Sequence, residues 1–466
     1  MAGKKRRKRR KTDALGLFFL TLFATVTLGS IAVLAGWAVM DGREEGGAFG
    51  EGVVSLLEGD IVQAAQGEER QTGEQVPDNA ASGSGSQSAG GPAVSGTEGE
   101  NAAGDGLQEP GFPSAGGKYA DILADPERMR QENIYTVTPT VPGEITLTFA
   151  GDILFDDGYS IMAKMKSRTG GNPEAYVESA FDAPMLEAMR GADIFMVNNE
   201  FTYTLRGAPT PDKKFTFHAR PEHARLLGDM GADLVSLANN HSRDYGEISL
   251  LDTLDTLQEV GIPYVGAGRN LAEAVRPVYF IAGDVKIAFL SATQIERMDN
   301  PSTKGATETS PGVFRCRNVD RLLEEVAAAK AVSDYVVVYV HWGTESTSEP
   351  DWAQKEQAPK IAEAGADLII GDHPHVLQGI GWFGETPVIY SLGNYLFNSK
   401  TQDTCLVTAT LDTHTGELKS LRFIPALQKD CRTTMHEGAE KSRVLRYIQG
   451  LSPESRIDEE GYITKS

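Results

Sequence analysis

Cysteine is scarce in this chain. Its 466 residues include three, Cys316, Cys405 and Cys431, and no two form a Cys-x-x-Cys pair, so a thiolate-based zinc site has no support. A Cys405–Cys431 disulfide with Cys316 left over, or three unpaired thiols, both fit so low a number. Basic residues are outnumbered as well. The 44 Lys and Arg against 65 Asp and Glu give a formal charge of -21, which argues against a nucleic-acid binder because phosphate contacts need clustered cations. Between residues 41 and 117 there is no lysine, and Phe49 and Phe112 are the only aromatics. Gly, Ser, Ala, Glu and Gln dominate there, too polar a mixture to bury the apolar surface that would offset the entropy of ordering. Residues 41–117 therefore read as a disordered acidic linker, within which only Val53–Ala65 has the composition of a short helix.

A further absence is a signal in itself. No charged residue occurs from Ala14 to Met40, a run rich in Leu, Phe, Ala, Val and Ile. About 20 such residues suffice to cross a hydrocarbon core, so 14–40 reads as a transmembrane helix. Residues 1–13 would be a basic cytoplasmic tail, since KKRRKRRK (4–11) precedes the span and positive charge stays inside. The main domain would then lie outside the cell on a single-pass anchor. A cleaved signal peptide is the rival, but its apolar region is normally only about 7–15 residues.

From residue 143 the composition turns globular. Short apolar, β-rich runs occur at 145–150, 193–197, 233–238, 285–291, 334–340, 367–370 and 387–392. Helical segments alternate with them at Pro221–Met230, Ile248–Val260, Val319–Val332 and Lys355–Ala364, and Gly231, Gly261 and Gly365 stand where a helix C-terminal glycine is expected. Continuous apolar strands alternating with helices predict an α/β fold around a parallel or mixed sheet covered on both faces. A hairpin is expected around Thr413–Glu417. The main domain is placed at 143–430, with 431–466 as a C-terminal helix (Ala439–Gly450) and polar tail.

The polar residues fall where such a fold builds sites. Asp152 follows the first strand; Asn198, Asn199 and Glu200 follow the second; Asn239, Asn240 and His241 follow the third. His341 ends a later strand, and Asp372, His373 and His375 follow the next. Ligands bind beyond the carboxyl ends of strands in α/β sheets, so these five ends would converge on one site. Singly, each residue reads better as a turn former, helix cap or buried histidine than as a ligand. Jointly they are more specific: the chain has eight His, and four of them sit at these strand ends, whereas His218, His223, His414 and His436 do not. Imidazole, carboxylate and amide without thiolate suit one or two divalent ions, Mn, Fe or Zn. A carboxylate bridging two such ions would favour hydrolytic chemistry, and His241, next to a ligand rather than one itself, would suit protonation of a leaving group. Arg206, Lys213, Lys214 and Arg220 follow Glu200, either drawing an anionic substrate or forming a solvated basic loop.

The segments LTFAGDILF (147–155), VNNEFT (197–202), LANNHSRDYG (237–246), VHWGTE (340–345), GADLIIGDHPHVLQ (365–378) and VIYSLGNYLF (388–397) together resemble the poly-γ-glutamate capsule biosynthesis (CapA/PgsA-like) family over roughly 145–428. The resemblance implies a four-layer αββα sandwich of metallophosphoesterase type. It implies metal positions at Asp152, Glu200, Asn240, His341, His373 and His375, with His241 matching the acid. Lys214, Arg220 and Glu345 would contact substrate, Gln354 would orient ligands, and Gly393 and Asn394 would form a turn lining the site. The chain departs from the phosphoesterase pattern in two places: Leu154 stands where the first motif has His, and Glu200 where the second has Asp. The implied partners are an anionic surface polymer such as poly-γ-glutamate, or its membrane synthase. The implied role is either metal-dependent hydrolysis or non-catalytic polymer binding.

Overall fold

The computed structural model describes residues 117–296 and 303–466. The expected cytoplasmic tail, the 14–40 span and the linker through residue 116 lie outside them, Val53–Ala65 included. Among the described residues no helix is long and apolar enough to cross a membrane.

The strands that matter are β1 (Glu144–Ile153), β2 (Ile194–Asn199), β3 (Leu234–Ser236), β4 (Val285–Thr293), β5 (Tyr335–His341), β6 (Leu368–Asp372), β7 (Thr386–Ile389), β8 (Asn394–Leu396), β9 (Gln402–Asp412) and β10 (Leu418–Gln428). They form two mixed sheets. One runs Thr433–Met435, β10, β9, β1, β2, β3, Tyr264–Val265, with β8 paired to β1 beside that path. The other runs Ile134–Thr136, Val278–Ala282, β4, β5, β6, β7, Ile380–Phe383. Within them β1–β2–β3 and β4–β5–β6–β7 are parallel.

The period-2 geometry of a strand explains why whole runs are apolar. On β5, Val337 and Tyr339 enter a core shared with Leu147 and Phe149 of β1 and with Ile287 and Phe289 of β4, so the two sheets pack face to face. The alternate residues Val336, Val338 and Val340 pack on helices α4 (Asp320–Lys330) and α5 (Trp352–Glu363), numbered after α1 (Ser160–Thr169), α2 (Ala183–Arg190) and α3 (Glu247–Glu259). Phe195 and Val197 of β2 likewise meet Met185 and Met189 of α2 and Leu250 and Leu254 of α3. The layers are thus helix, sheet, sheet, helix. The central parallel strands β2, β5 and β6 are buried on both faces, which is why they carry no polar alternation, whereas β9 and β10 alternate toward the edge of their sheet.

Gly231, Gly261 and Gly365 take left-handed backbone angles where helices end. Helix α5 begins three residues before the expected Lys355. Asp351 accepts from the backbone of Ala353 and Gln354, and the Gln354 side chain returns to the Asp351 N–H, a capping box that fixes the start. Pro221–Met230 divides into a 3₁₀ turn, Pro221–Ala224, and a helix, Arg225–Met230. The hairpin forms as expected, β9 pairing with β10 around Thr413–Glu417.

The folded body is larger than the 143–430 span assigned from composition. Ile134–Thr136 adds a parallel edge strand against Val278–Ala282, and Thr433–Met435 adds an antiparallel one to β10. Three-residue strands carry too little periodicity to be read from sequence. The helix expected at Ala439–Gly450 forms as α6 (Gly438–Leu451) and sends Val444, Leu445 and Ile448 into the core between the sheets, joined by Ile463 of the hairpin Ser455–Ile457/Ile463–Lys465. The C-terminal residues are therefore part of the body rather than a polar tail. The disulfide alternative is excluded: Cys405 and Cys431 are free and buried on opposite faces of one sheet, in the intersheet and helix-side cores. Cys316 is free and buried too.

One close approach fixes the end of β1. Its pairing with β2 shifts register between Phe149 and Asp152, and Asn394 of β8 pairs with Asp152 on the other side. A Cβ at Gly151 would lie 1.9 Å from the Gly393 carbonyl oxygen, so only glycine lets the two segments meet there. Gly151→Ala is expected to destabilise the fold by about 1–3 kcal/mol through overpacking, seen as a lower urea midpoint at unchanged m-value. Gly228→Ala, on an exposed helix position with nothing within 4 Å, should leave the midpoint unchanged or higher.

Candidate metal centre

Parallel pairing brings the strand ends into two rows. Asp152 lies opposite Asn198 across β1–β2, and Asn198 opposite Ser236 across β2–β3. In the facing sheet Thr293, His341 and Asp372 are level across β4, β5 and β6. The Tyr339 hydroxyl on β5 donates to the Ala150 carbonyl on β1 at 2.9 Å, tying the sheets together just below these rows. Amides brace the first row: Asn198 Nδ2 donates to Asp152 Oδ1 at 2.9 Å, and Asn239 Nδ2 to Asn198 Oδ1 at 3.0 Å.

His341 is held by its neighbour in register. Its Nδ1 lies 2.8 Å from Asp372 Oδ1, so the proton sits there and Nε2 presents a lone pair inward. That lone pair faces other electron-rich atoms: Asn240 Oδ1 at 2.8 Å, His373 Nδ1 at 3.0 Å and Glu200 Oε1 at 3.5 Å. His375 Nδ1 is 3.0 Å from Asp152 Oδ2 and 2.9 Å from Asn394 Oδ1. His373 and His375 both adopt positive φ, 93° and 58°, which turns their rings back over the strand ends. Six sequence-derived ligand positions thereby come together.

Electrostatics decide what such a cluster can hold. Asp152, Glu200 and Asp372 are all 0% exposed. Both oxygens of Glu200, together with Asp372 Oδ2, are buried without a hydrogen-bond partner. A buried charge left in that state is expensive, whereas a divalent cation would satisfy it. Burial, with Asp152 and Asp372 close by, holds the Glu200 carboxyl well above its ordinary range, and burial with Asp152 does the same to Asp372. Burial pushes His341 down to about 3, and burial with the neighbouring imidazoles pushes His373 well down, leaving neutral rings of the kind that ligate metal. His375 is the exception: burial alone would lower it, but Asp152 outweighs burial and raises it. Among the described residues three groups place ligand atoms within 4.8 Å of one another: Glu200–His341–His373, Asp152–His341–Asp372 and Asp152–Glu200–His375. Asp152, Glu200 and His341 each belong to two of them, so the groups overlap in one cluster. The donor set therefore fits one or two divalent cations.

His241 stands at the margin. Its Nε2 lies 4.0 Å from Glu200 Oε1, and its Nδ1 is 2.6 Å from Asp244 Oδ2, so the proton is fixed on Nδ1 and Nε2 faces the cluster. Burial holds the ring below the usual histidine range, and Lys213 opposes the pull of Asp244. The ring rests against Phe217, centroids 4.3 Å apart, and Phe217 meets Phe397, on which His375 stacks at 5.1 Å. Leu154 turns into the helix-side core, so no ligand stands at its position.

The expected substrate contacts divide. Lys214 is exposed and lies over the Phe215 ring, while Arg220 and Arg206 are exposed and paired with Glu222 and Asp252. Lys213 is the member of this basic segment that points inward, with a side chain 9% exposed and bonded to Asp244. Glu345 is exposed at the rim, on a loop that Gln378 and Ser346 tie to the segment bearing His373 and His375. Gln354 is buried and bonds Gln378 and the Tyr390 carbonyl, supporting that same loop. Asn394 lines the site through its contact with His375. Beyond the six ligand positions the site draws in Asp372, Asn198, Asp244 and Lys213; sequence placed the first two among the strand-end residues and Lys213 in the basic segment without giving them these roles, and it did not single out Asp244. The first two end strands in register with ligands; Asp244, three residues after His241, and Lys213 become visible only once the loops are folded.

A family model described as "Bacterial capsule synthesis protein PGA_cap" matches residues 146–399. The PGA biosynthesis protein CapA of Bacillus subtilis is 32% identical over 271 residues, 56% of this chain and 67% of that protein. The capsule biosynthesis protein CapA of Bacillus anthracis is 32% identical over 247 residues, 51% of this chain and 58% of that one. A probable polyglutamine synthesis accessory protein of Mycobacterium tuberculosis is 27% identical over 253 residues, 50% of this chain and 65% of its own length. The matched region thus spans roughly three fifths to two thirds of these relatives. Among solved structures, a phosphatase from Mycoplasma pneumoniae shares 15% identity at a TM-score of 0.39, covering 62% of this chain and 95% of that one. The sulfate thiohydrolase SoxB of Thermus thermophilus shares 15% at 0.35, covering 68% and 61%. The family match covers more than half of the sequence and contains all six ligand positions, and the chain belongs to the bacterial capsule synthesis protein family.

Proposed function

We propose that this protein acts in the synthesis, export or anchoring of an anionic surface polymer such as poly-γ-glutamate, through a divalent-metal centre on an extracytoplasmic domain. The 14–40 segment would fasten that domain to the cell membrane. The observation that carries the metal centre is the Glu200 carboxylate, fully buried, with neither oxygen satisfied by the protein and Oε1 3.5 Å from His341 Nε2. The capsule and polyglutamine-synthesis names of the relatives support the polymer. Asp152, Glu200, Asn240, His341, His373 and His375 would hold the cation, which when bound supplies Lewis acidity toward a phosphoester or amide. His241, its Nδ1 proton kept by Asp244, would hold or release a proton at Nε2, the atom facing the cluster. Asp372 keeps His341 in the tautomer that turns Nε2 inward. Lys214, Arg220 and Glu345 would meet the polymer at the rim. A non-catalytic polymer-binding subunit of a membrane synthase is the second reading, favoured by one observation: Leu154 withdraws into the core where a phosphoesterase has an imidazole.

Metal content separates a working centre from an inherited scaffold. Protein purified without chelator should carry near-stoichiometric Mn, Fe or Zn by elemental analysis, and the His373→Ala/His375→Ala variant should lose it. Absence of metal in both under every loading condition would remove the centre and leave polymer binding as the account. A second measurement addresses Glu200. Mn²⁺ should raise the thermal midpoint of the metal-stripped wild type by mass action. Glu200→Gln should match or exceed the wild-type midpoint without metal, because the partnerless buried charge is gone, and should show no rise with Mn²⁺. A lowered metal-free midpoint with an intact Mn²⁺ response contradicts this role. For the hydrolytic reading, His241→Ala should abolish turnover of a phosphodiester or of poly-γ-glutamate while metal remains bound; unchanged turnover rules out His241 as the acid.

A further inference from the structure

Asn240 and His241 reach the cluster on a turn that belongs to no helix or strand, since β3 ends at Ser236 and α3 begins at Glu247. Something outside the turn must hold it. Segment 210–217 does so from one side. The Thr210 N–H and hydroxyl both donate to the Asp244 carbonyl, at 2.8 and 3.0 Å, and the Phe217 N–H donates to Asp244 Oδ2 at 2.7 Å. Lys213 spans the gap between the two ends of the turn: its Nζ donates both to the Asn240 backbone carbonyl and to Asp244 Oδ1. The pair is largely buried, with side chains 9% and 1% exposed, so the bond is little screened by solvent. Lys214, one residue on, faces away.

We infer that Lys213 is a positioning residue for the metal centre. By gripping the Asn240 carbonyl and the carboxylate that orients His241, it keeps Asn240 Oδ1 directed at His341 Nε2 and the His241 ring directed at Glu200. It acts through these residues and needs no contact with a metal or substrate. The inference rests on the metal-centre reading above and deepens it: it names a cation in the expected basic segment that serves the centre's geometry rather than the capture of polymer.

The test uses the full chain, stripped of metal and titrated with Mn²⁺ alone by calorimetry. Lys213→Met should weaken Mn²⁺ binding on the order of tenfold or more, the scale on which supporting groups act on a ligand set. Lys213→Arg, which can still reach two acceptors, should recover most of that loss, and Lys214→Met, a polymer contact in the reading above, should leave the Mn²⁺ affinity unchanged. Because Lys213→Met strands the Asp244 charge and could unfold the domain, the decisive variant is Lys213→Met/Asp244→Asn, which removes both charges. It should keep a metal-free thermal midpoint close to wild type and still bind Mn²⁺ weakly, because the Asn240 carbonyl has lost its donor. A double variant with wild-type affinity would show that Lys213 merely neutralises Asp244, and the positioning role would fall while the centre stands. A wild type that takes up no Mn²⁺ overturns the centre and this inference together.

Discussion

Three carboxylates withdrawn from water at one point are what the rest of the structure has to accommodate. Asp152, Glu200 and Asp372 arrive from three strands of two sheets and share one interior. Unpaired, each would cost several kcal/mol, and their mutual repulsion adds to that. The fold answers in graded fashion. Asp152 receives an amide and an imidazole, Asp372 receives one imidazole proton, and Glu200 receives nothing from the protein. The remaining demand is for positive charge without a hydrogen-bond donor's geometry, which a multivalent cation would supply.

The two sheets make this concentration possible. A single parallel sheet would bring its strand ends into one line; two sheets face to face bring two lines together, so residues over two hundred positions apart in sequence, Asp152 and His375 among them, come within hydrogen-bond distance. The glycine contact between residues 151 and 393 closes the gap from behind. The aromatic chain Phe217–Phe397 props the imidazoles of His241 and His375 from the side. Substitution at any of these supports would act on the cluster without removing one of its ligand-bearing side chains.

Much of this was legible in the sequence, because strand ends are marked by a change from continuous apolar residues to ligand-bearing ones. Asp152, Glu200, His341 and His373 could be read that way, and the capping glycines marked the helices between. What could not be read depended on loop conformation. Lys213 and Lys214 are chemically identical neighbours, and only the path of the backbone decides that the first turns inward and the second out. Asp244 acquires its place only when the 210–217 segment folds over it. The short edge strands Ile134–Thr136 and Thr433–Met435 were invisible for a related reason: their pairing is decided by partners distant in sequence, not by their own pattern.

The backbone of His373 and His375 carries a further consequence. Both hold left-handed angles, which side-chain-bearing residues adopt at a cost of order 1–3 kcal/mol and glycine adopts freely. The expense is met when the chain folds, not when a ligand arrives. An ion entering the centre would thus find its imidazoles already aimed and would lose little of its binding energy to ordering them, so the segment works as a preset claw rather than a flap that must close.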